Sequence, residues 1–192
     1  MSELLTFDEG RIALELARKA ITEYLNRKKV IEPEGLSPIF DENRGVFVTL
    51  NNRIGSQKEL RGCIGRPYPV MPLGEAIIIS AINAATDDPR FNPVTIKELK
   101  DISIEVTVLT TPYLLEVEPE KLPGEIVVGR HGLIVQKGPY AGLLLPQVAV
   151  EHGFDAGRFL DQTCLKAGLY PDAWLESDTE VYAFEGQIFH EE

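Results

Sequence analysis

The chain has 192 residues, 44% of them hydrophobic and 26% charged, so it can bury a substantial core and carries no signature of extensive disorder. A net charge of −11 argues against general coating of nucleic acid, which needs cations to displace counterions, and no apolar run approaches membrane-spanning length. The first residues lack the basic and apolar regions of a signal peptide, and the two cysteines, Cys63 and Cys164, lie far apart, so a reducing cytoplasm is the expected location.

Thr6-x-x-Glu9 reads as a capping box that opens a helix. Ala13, Leu16, Ala17, Ala20, Ile21 and Tyr24 form its core stripe, and Arg27-Lys28-Lys29 suits a solvated C-terminal end. Val46–Leu50 and Leu60–Ile64 read as a β-hairpin, with Asn51-Asn52 and Gly55-Ser56 marking the turn. Leu73–Thr86 is apolar on nearly every side, as in a buried helix, and Asp87-Asp-Pro-Arg-Phe-Asn-Pro93 ends it. Thr95-x-x-Glu98 resembles a second capping box for a short helix, and Ile102–Val108 alternates as a strand with a polar second face.

Residues 114–123, with Glu116, Glu118 and Glu120 beside prolines, read as an acidic surface excursion. Ile126–Val128 and Leu133–Val135 flank Gly129-Arg-His-Gly132, the pattern of another hairpin, and 143–145 adds a short strand. Pro146 can start a helical turn that ends at Gly153. Asp155 caps a helix in which Ala156, Phe159, Leu160, Cys164 and Ala167 share a stripe, so Cys164 belongs to the core. A strand over 181–184 finishes the domain, and the tail beyond Phe189 is expected to fray. Strands that arrive as hairpins, with helices between and around them, predict an α+β fold with a mainly antiparallel sheet flanked by helices.

The chemistry concentrates on Leu60-Arg-Gly-Cys-Ile-Gly65. Strict alternation puts Arg61 and Cys63 on one face and Leu60, Gly62 and Ile64 on the other, and the glycines bare the backbone for an approaching group. Residues 1–66 hold eleven Lys/Arg against ten Asp/Glu, and residues 67–192 hold eight against twenty, so this basic hairpin is compatible with a local anion site. Cys63 is either a buried structural thiol or a thiolate stabilised by Arg61. His131 reads as a turn histidine with a solvated ring, Asp88-Pro-Arg90 as a local ion pair shaping its loop, and Glu105 as a sheet carboxylate or a partner for Arg61 or Arg90. No phosphate loop, dinucleotide fingerprint or nucleophile elbow is present, and none of the three histidines has a metal-ligand partner at local helical spacing, so no metal site and no particular cofactor is indicated.

Taken with Asp88-Pro-Arg-Phe91, Glu105-Val-Thr-Val-Leu109, Gly129-Arg-His-Gly132, Leu145-Pro-Gln-Val148 and Lys166-Ala-Gly168, the cysteine motif resembles the AMMECR domain family from the first helix to about Phe184. The resemblance implies one domain over 1–192, built of two subdomains intertwined in sequence, the smaller facing the larger sheet across a cleft. Members of that family are described as uncharacterised, and some are encoded beside or fused to a MEMO-type protein and a radical-SAM enzyme. Carried over to this chain, Arg61, Cys63, Asp88, Arg90, Glu105, His131 and Gln147 become candidates for one shared site, with Gly62 and Gly65 as its bare backbone. The leading expectation is a module that binds a nucleotide, another small anion or a peptide through Arg61, Arg90 and backbone amides. Local nucleic-acid binding is compatible with it. The alternatives are an enzyme that modifies protein, nucleic acid or a metabolite, with Cys63 as nucleophile or redox thiol and His131 or Glu105 as proton carrier, and a non-catalytic partner in a MEMO/radical-SAM-associated system.

Overall fold

A computed structural model describes residues 4–54 and 57–191. They form two antiparallel four-stranded sheets and five helices, the α+β class expected. The chain divides into two compact units, one made of Met1–Thr110 with Gln187–Glu192 and the other of Thr111–Gly186.

In the first unit, helix α1 (Phe7–Arg27) starts at the predicted capping box. The Glu9 amide donates to the Thr6 hydroxyl at 3.3 Å, and the Thr6 amide donates to the Glu9 carboxylate at 2.8 Å. Ala13, Leu16, Ala17, Ala20 and Ile21 are all buried, so the stripe faces the core as its spacing required. Strands β1 (Val46–Ile54) and β2 (Gln57–Arg66) make a hairpin longer than expected. Asn51 and Asn52 lie inside β1, paired with Leu60 and Glu59, and do not form the turn; Gly55 and Ser56 lie outside the described residues.

Helix α2 (Leu73–Thr86) is buried on nearly every side because α1 covers it and the hairpin supports it. The segment after Thr95 makes only a 3-10 turn (Leu99–Asp101), with the Thr95 amide donating to Glu98 at 2.7 Å. Strand β3 (Ile102–Leu109) alternates as predicted, burying Ile102, Ile104, Val106 and Val108.

The tail does not fray. It forms strand β8 (Gly186–His190), which completes the sheet order β2-β1-β3-β8. The Phe189 ring fills the space a side chain at Gly10 would need. Beyond it, the Glu191 carboxylate takes the Arg18 guanidinium and the Ile104 amide, and its own amide donates to the Ile104 carbonyl.

The second unit contains β4 (Tyr113–Leu114), α3 (Leu122–Glu125), β5 (Gly132–Lys137), β6 (Tyr140–Leu144), α4 (Pro146–Glu151), α5 (Ala156–Lys166) and β7 (Glu180–Phe184), with sheet order β4-β7-β5-β6. The hairpin predicted around Gly129–Gly132 is displaced. Residues 126–128 form no strand, because the Val127 carbonyl accepts from both the Arg130 and His131 amides and closes a turn over Gly129 at φ +86°. The real hairpin is β5–β6, turning at Gly138. Asp155 caps α5 by accepting from the Arg158 amide at 2.7 Å, and Phe159, Leu160 and Cys164 enter the core as expected.

Candidate functional site

Strand β2 departs from strict alternation at the residue on which the prediction depended. The register with β1 runs Gly62 to Leu50 and then Leu60 to Asn51, so Arg61 is the extra residue of a β-bulge. Leu60 and Cys63 consequently share a sheet face, as partners of Asn51 and Thr49, and Arg61 is not on the alternating row with Cys63. Its side chain is 12% exposed, and the guanidinium instead reaches Glu98 at 3.3 Å and lies 5.9 Å from the centre of the Phe91 ring.

The bare glycines are already in use. A Cβ at Gly62 would sit 2.2 Å from the Ala84 carbonyl oxygen, so this residue lets the backbone of α2 lie against the strand. At Gly65 the same atom would meet the Phe47 ring at 2.1 Å. Close approach to the backbone is thus made by the protein's own helix and ring.

The cation beside Cys63 is Arg90. Its side chain holds Asp88 in a two-pronged pair, Nε to Oδ1 at 2.9 Å and Nη2 to Oδ2 at 2.7 Å, and Nη2 also donates to the Cys63 carbonyl at 3.3 Å. Asp88 in turn accepts from the Cys63 amide at 2.8 Å and the Arg90 amide at 3.1 Å. The hydrogen bonds from the Arg90 side chain hold the Asp88 carboxyl far below the usual carboxylate range, with the two amides adding to the effect and burial opposing it. Asp88 is 2% exposed and Arg90 54%, so a buried carboxylate fixes a guanidinium that still faces solvent. The expected Asp88–Arg90 ion pair is therefore present, and it ties the loop after α2 to the backbone of β2. Phe91 lies near both cations, its ring centre 5.5 Å from the Arg90 guanidinium and 5.9 Å from that of Arg61.

Cys63 is partly exposed and accepts from the Thr49 hydroxyl, Oγ1 to Sγ at 3.2 Å. Thr49 pairs with Cys63 on one side and Glu105 on the other, which sets the three residues in a row across β2, β1 and β3. Two strand spacings separate Cys63 from Glu105, roughly 10 Å between their backbones. Glu105 thus reaches the thiol only through whatever stands over Thr49. Arg61 and Arg90 pair with Glu98 and Asp88, not with Glu105.

His131 and Gln147 belong to the second unit. His131 is 7% exposed, not a solvated turn residue. The Val127 amide donates to its Nδ1 at 3.2 Å, Nε2 lies 3.5 Å from the Tyr113 hydroxyl, and Glu185 is 4.0 Å away and paired to Arg130 at 2.9 Å. Burial lowers its pKa below the ordinary histidine value, against the pull of Glu185. Gln147 is exposed in the first turn of α4. Among the described residues, no group of three His, Cys, Asp or Glu could hold a metal ion, and no helix is long and apolar enough to cross a membrane.

Sequence reasoning did not assign Thr49, Phe91 or Glu98 to the site. Thr49 was detectable as the residue facing Cys63 once the hairpin register was known, and Phe91 as the aromatic that follows Arg90.

An α+β protein whose basic hairpin is clamped, after a core helix, by a buried aspartate paired to a half-exposed arginine defines the structural class. The chain matches the AMMECR1 family over residues 14–189 and belongs to it. It is 56% identical over 185 residues to a protein of Thermococcus onnurineus, covering 95% of this chain and 90% of that one. It is 53% identical over 192 residues to a protein of Methanosarcina mazei, covering 98% and 94%. The crystal structure of the uncharacterized protein PH0010 from Pyrococcus horikoshii superposes with a TM-score of 0.81 at 53% identity, covering 98% of this chain and 94% of that one.

Proposed function

We propose that this AMMECR1-family chain is a binding module, and that the corner formed by Cys63, Asp88 and Arg90 holds an anionic group of a nucleotide, a small metabolite or a peptide. One observation carries the reading: Arg90 is fixed on two of its nitrogens by a buried carboxylate while more than half of its side chain stays in solvent. A guanidinium held this way loses little further freedom on meeting a phosphate or carboxylate, which can accept from its remaining nitrogen, Nη1. Arg61, also near the Phe91 ring, adds a second cation whose partner Glu98 is itself substantially exposed.

The test is a thermal-shift and calorimetric screen with inorganic phosphate, nucleoside mono- and triphosphates, short oligonucleotides and peptides with free C-termini. At least one anion should raise the melting temperature, the effect should vanish in Arg90→Ala, and it should weaken in Arg61→Ala. A flat response across all these classes would sink the proposal.

A second reading makes Cys63 a nucleophile or redox thiol, and the Thr49 hydroxyl aimed at its sulfur favours it. Native protein should then lose one thiol to an alkylating reagent, assigned to Cys63 by mass spectrometry. Cys164 should react only after unfolding, because it is fully buried and burial pushes its thiol up to about 11. If Cys63 also waits for denaturant, it has no such role.

A further inference from the structure

The two edges of the first sheet are built differently. The β2 edge carries Glu59, Arg61 and Arg66 and is bent by the Arg61 bulge, features that discourage another strand from pairing there. The β8 edge reads Gly186-Gln-Ile-Phe-His190, without a Lys, Arg, Asp, Glu or Pro. Beside it lies a groove of about 630 Å³ between β8 and α1, floored by Phe7, Gly10, Leu14, Ile188 and Phe189. Phe7 is 84% exposed and Ile188 60%, two large apolar side chains left in solvent along this edge. The groove also carries the exposed pair Arg11–Glu15, at 2.6 Å, and the Arg18–Glu191 pair.

We propose that this face is the isologous interface of a homodimer, in which β8 pairs antiparallel with β8 of a second copy and the two α1 helices lie alongside. The occupant must bring a strand edge, apolar side chains for the groove and charges that match an arginine and a glutamate one helical turn apart. A second copy related by a two-fold axis brings all three. With the axis near Ile188, the central residue of β8, the two isoleucines meet and each Phe7 is covered. Antiparallel α1 copies set Arg11 against Glu15 of the second copy and Glu15 against its Arg11, so the charges are self-complementary. The result is a continuous eight-stranded sheet with its bulged, charged β2 edges outermost. A foreign extended peptide matches the edge and the groove but has no reason to reproduce the charge order.

Sedimentation velocity and light scattering on the full chain, from low to high micromolar concentration, test this. Wild type should show a reversible monomer–dimer equilibrium. Ile188→Lys should raise the dimer Kd more than about tenfold, the size expected for a central contact, with circular dichroism and melting unchanged for the monomer. Arg11→Glu and Glu15→Arg should each weaken the dimer, and mixing the two variants, a charge swap in trans, should restore it as a heterodimer, a rescue that the pair within one helix could not produce because it stays broken in both chains. A wild type that stays monomeric throughout overturns the proposal, whether or not added peptides bind the groove. A dimer indifferent to Ile188→Lys, or one that the charge swap fails to restore, does the same.

Discussion

Removing the Asp88 carboxylate tests whether it clamps the loop after α2 to the hairpin. In Asp88→Ala the Cys63 and Arg90 amides lose their acceptor, and the Arg90 guanidinium loses its partner. Hydrogen bonds to a charged group contribute about 1.5–3 kcal/mol each, and a buried donor left unsatisfied costs about 1–3 kcal/mol. The ion pair itself adds little, because Arg90 is half in solvent and screened. Water replaces the acceptor at the more exposed Arg90 amide, so the Cys63 amide dominates, and a loss of about 3 kcal/mol at neutral pH is expected. Urea unfolding followed by circular dichroism measures it, as a lower midpoint at unchanged slope.

The pH dependence gives a second check. The folded Asp88 pKa lies far below its unfolded value of about 3.9, so its contribution is complete above that value and is lost as pH falls toward the folded one. The gap between wild type and Asp88→Asn should therefore narrow progressively below about pH 4. A variant within about 1 kcal/mol of wild type at pH 7, below the range for a lost charged hydrogen bond, or a gap that ignores acid, would refute the clamp.

Two further outcomes follow from the same geometry. Gly62→Ala should destabilise more than Gly65→Ala, by about 3 against about 1 kcal/mol in denaturant titrations, because the first collides with helix backbone and the second with a ring that can turn. For His131, nuclear magnetic resonance titration should give a pKa below the ordinary value of about 6.5, lowered further in Glu185→Gln because that carboxylate raises it. The imidazole should thus be neutral at pH 7. Protonation should weaken the folded state only as pH falls through the ordinary value, since the neutral ring is the form the fold favours.

The helices were legible because each carries its own evidence in consecutive residues: a capping box and stripe for α1, an unbroken apolar run for α2, an Asp cap and stripe for α5. What failed depended on partners distant in sequence. Gly186–His190 is short and unpatterned, and it becomes a strand through β3, some eighty residues earlier, with Glu191 pinned by Arg18 and Ile104. Gly129–Gly132 has the composition of a hairpin turn, but the Val127 carbonyl uses it to close a local turn instead. The bulge at Arg61 is invisible to period-two reasoning, which counts residues and not register.

That single inserted residue redistributes the chemistry of the motif. Had alternation held, Arg61 would flank Cys63 and one side chain would serve both as anion anchor and as thiolate partner. The bulge sends Arg61 to Glu98 and Phe91, and the loop after α2 brings Arg90 to the Cys63 carbonyl, fixed by a carboxylate that also holds the Cys63 amide. Anion recognition and thiol chemistry therefore separate by residue. Arg90→Lys keeps a charge but cannot reproduce the two-pronged grip on Asp88, so it should lose anion binding while leaving Cys63 alkylation measurable. Thr49→Val removes the hydroxyl at the sulfur and leaves the Asp88–Arg90 pair untouched, so it should change thiol reactivity alone. If the two variants instead move both properties together, binding and thiol chemistry belong to one site with one ligand, and the corner acts as a reaction centre.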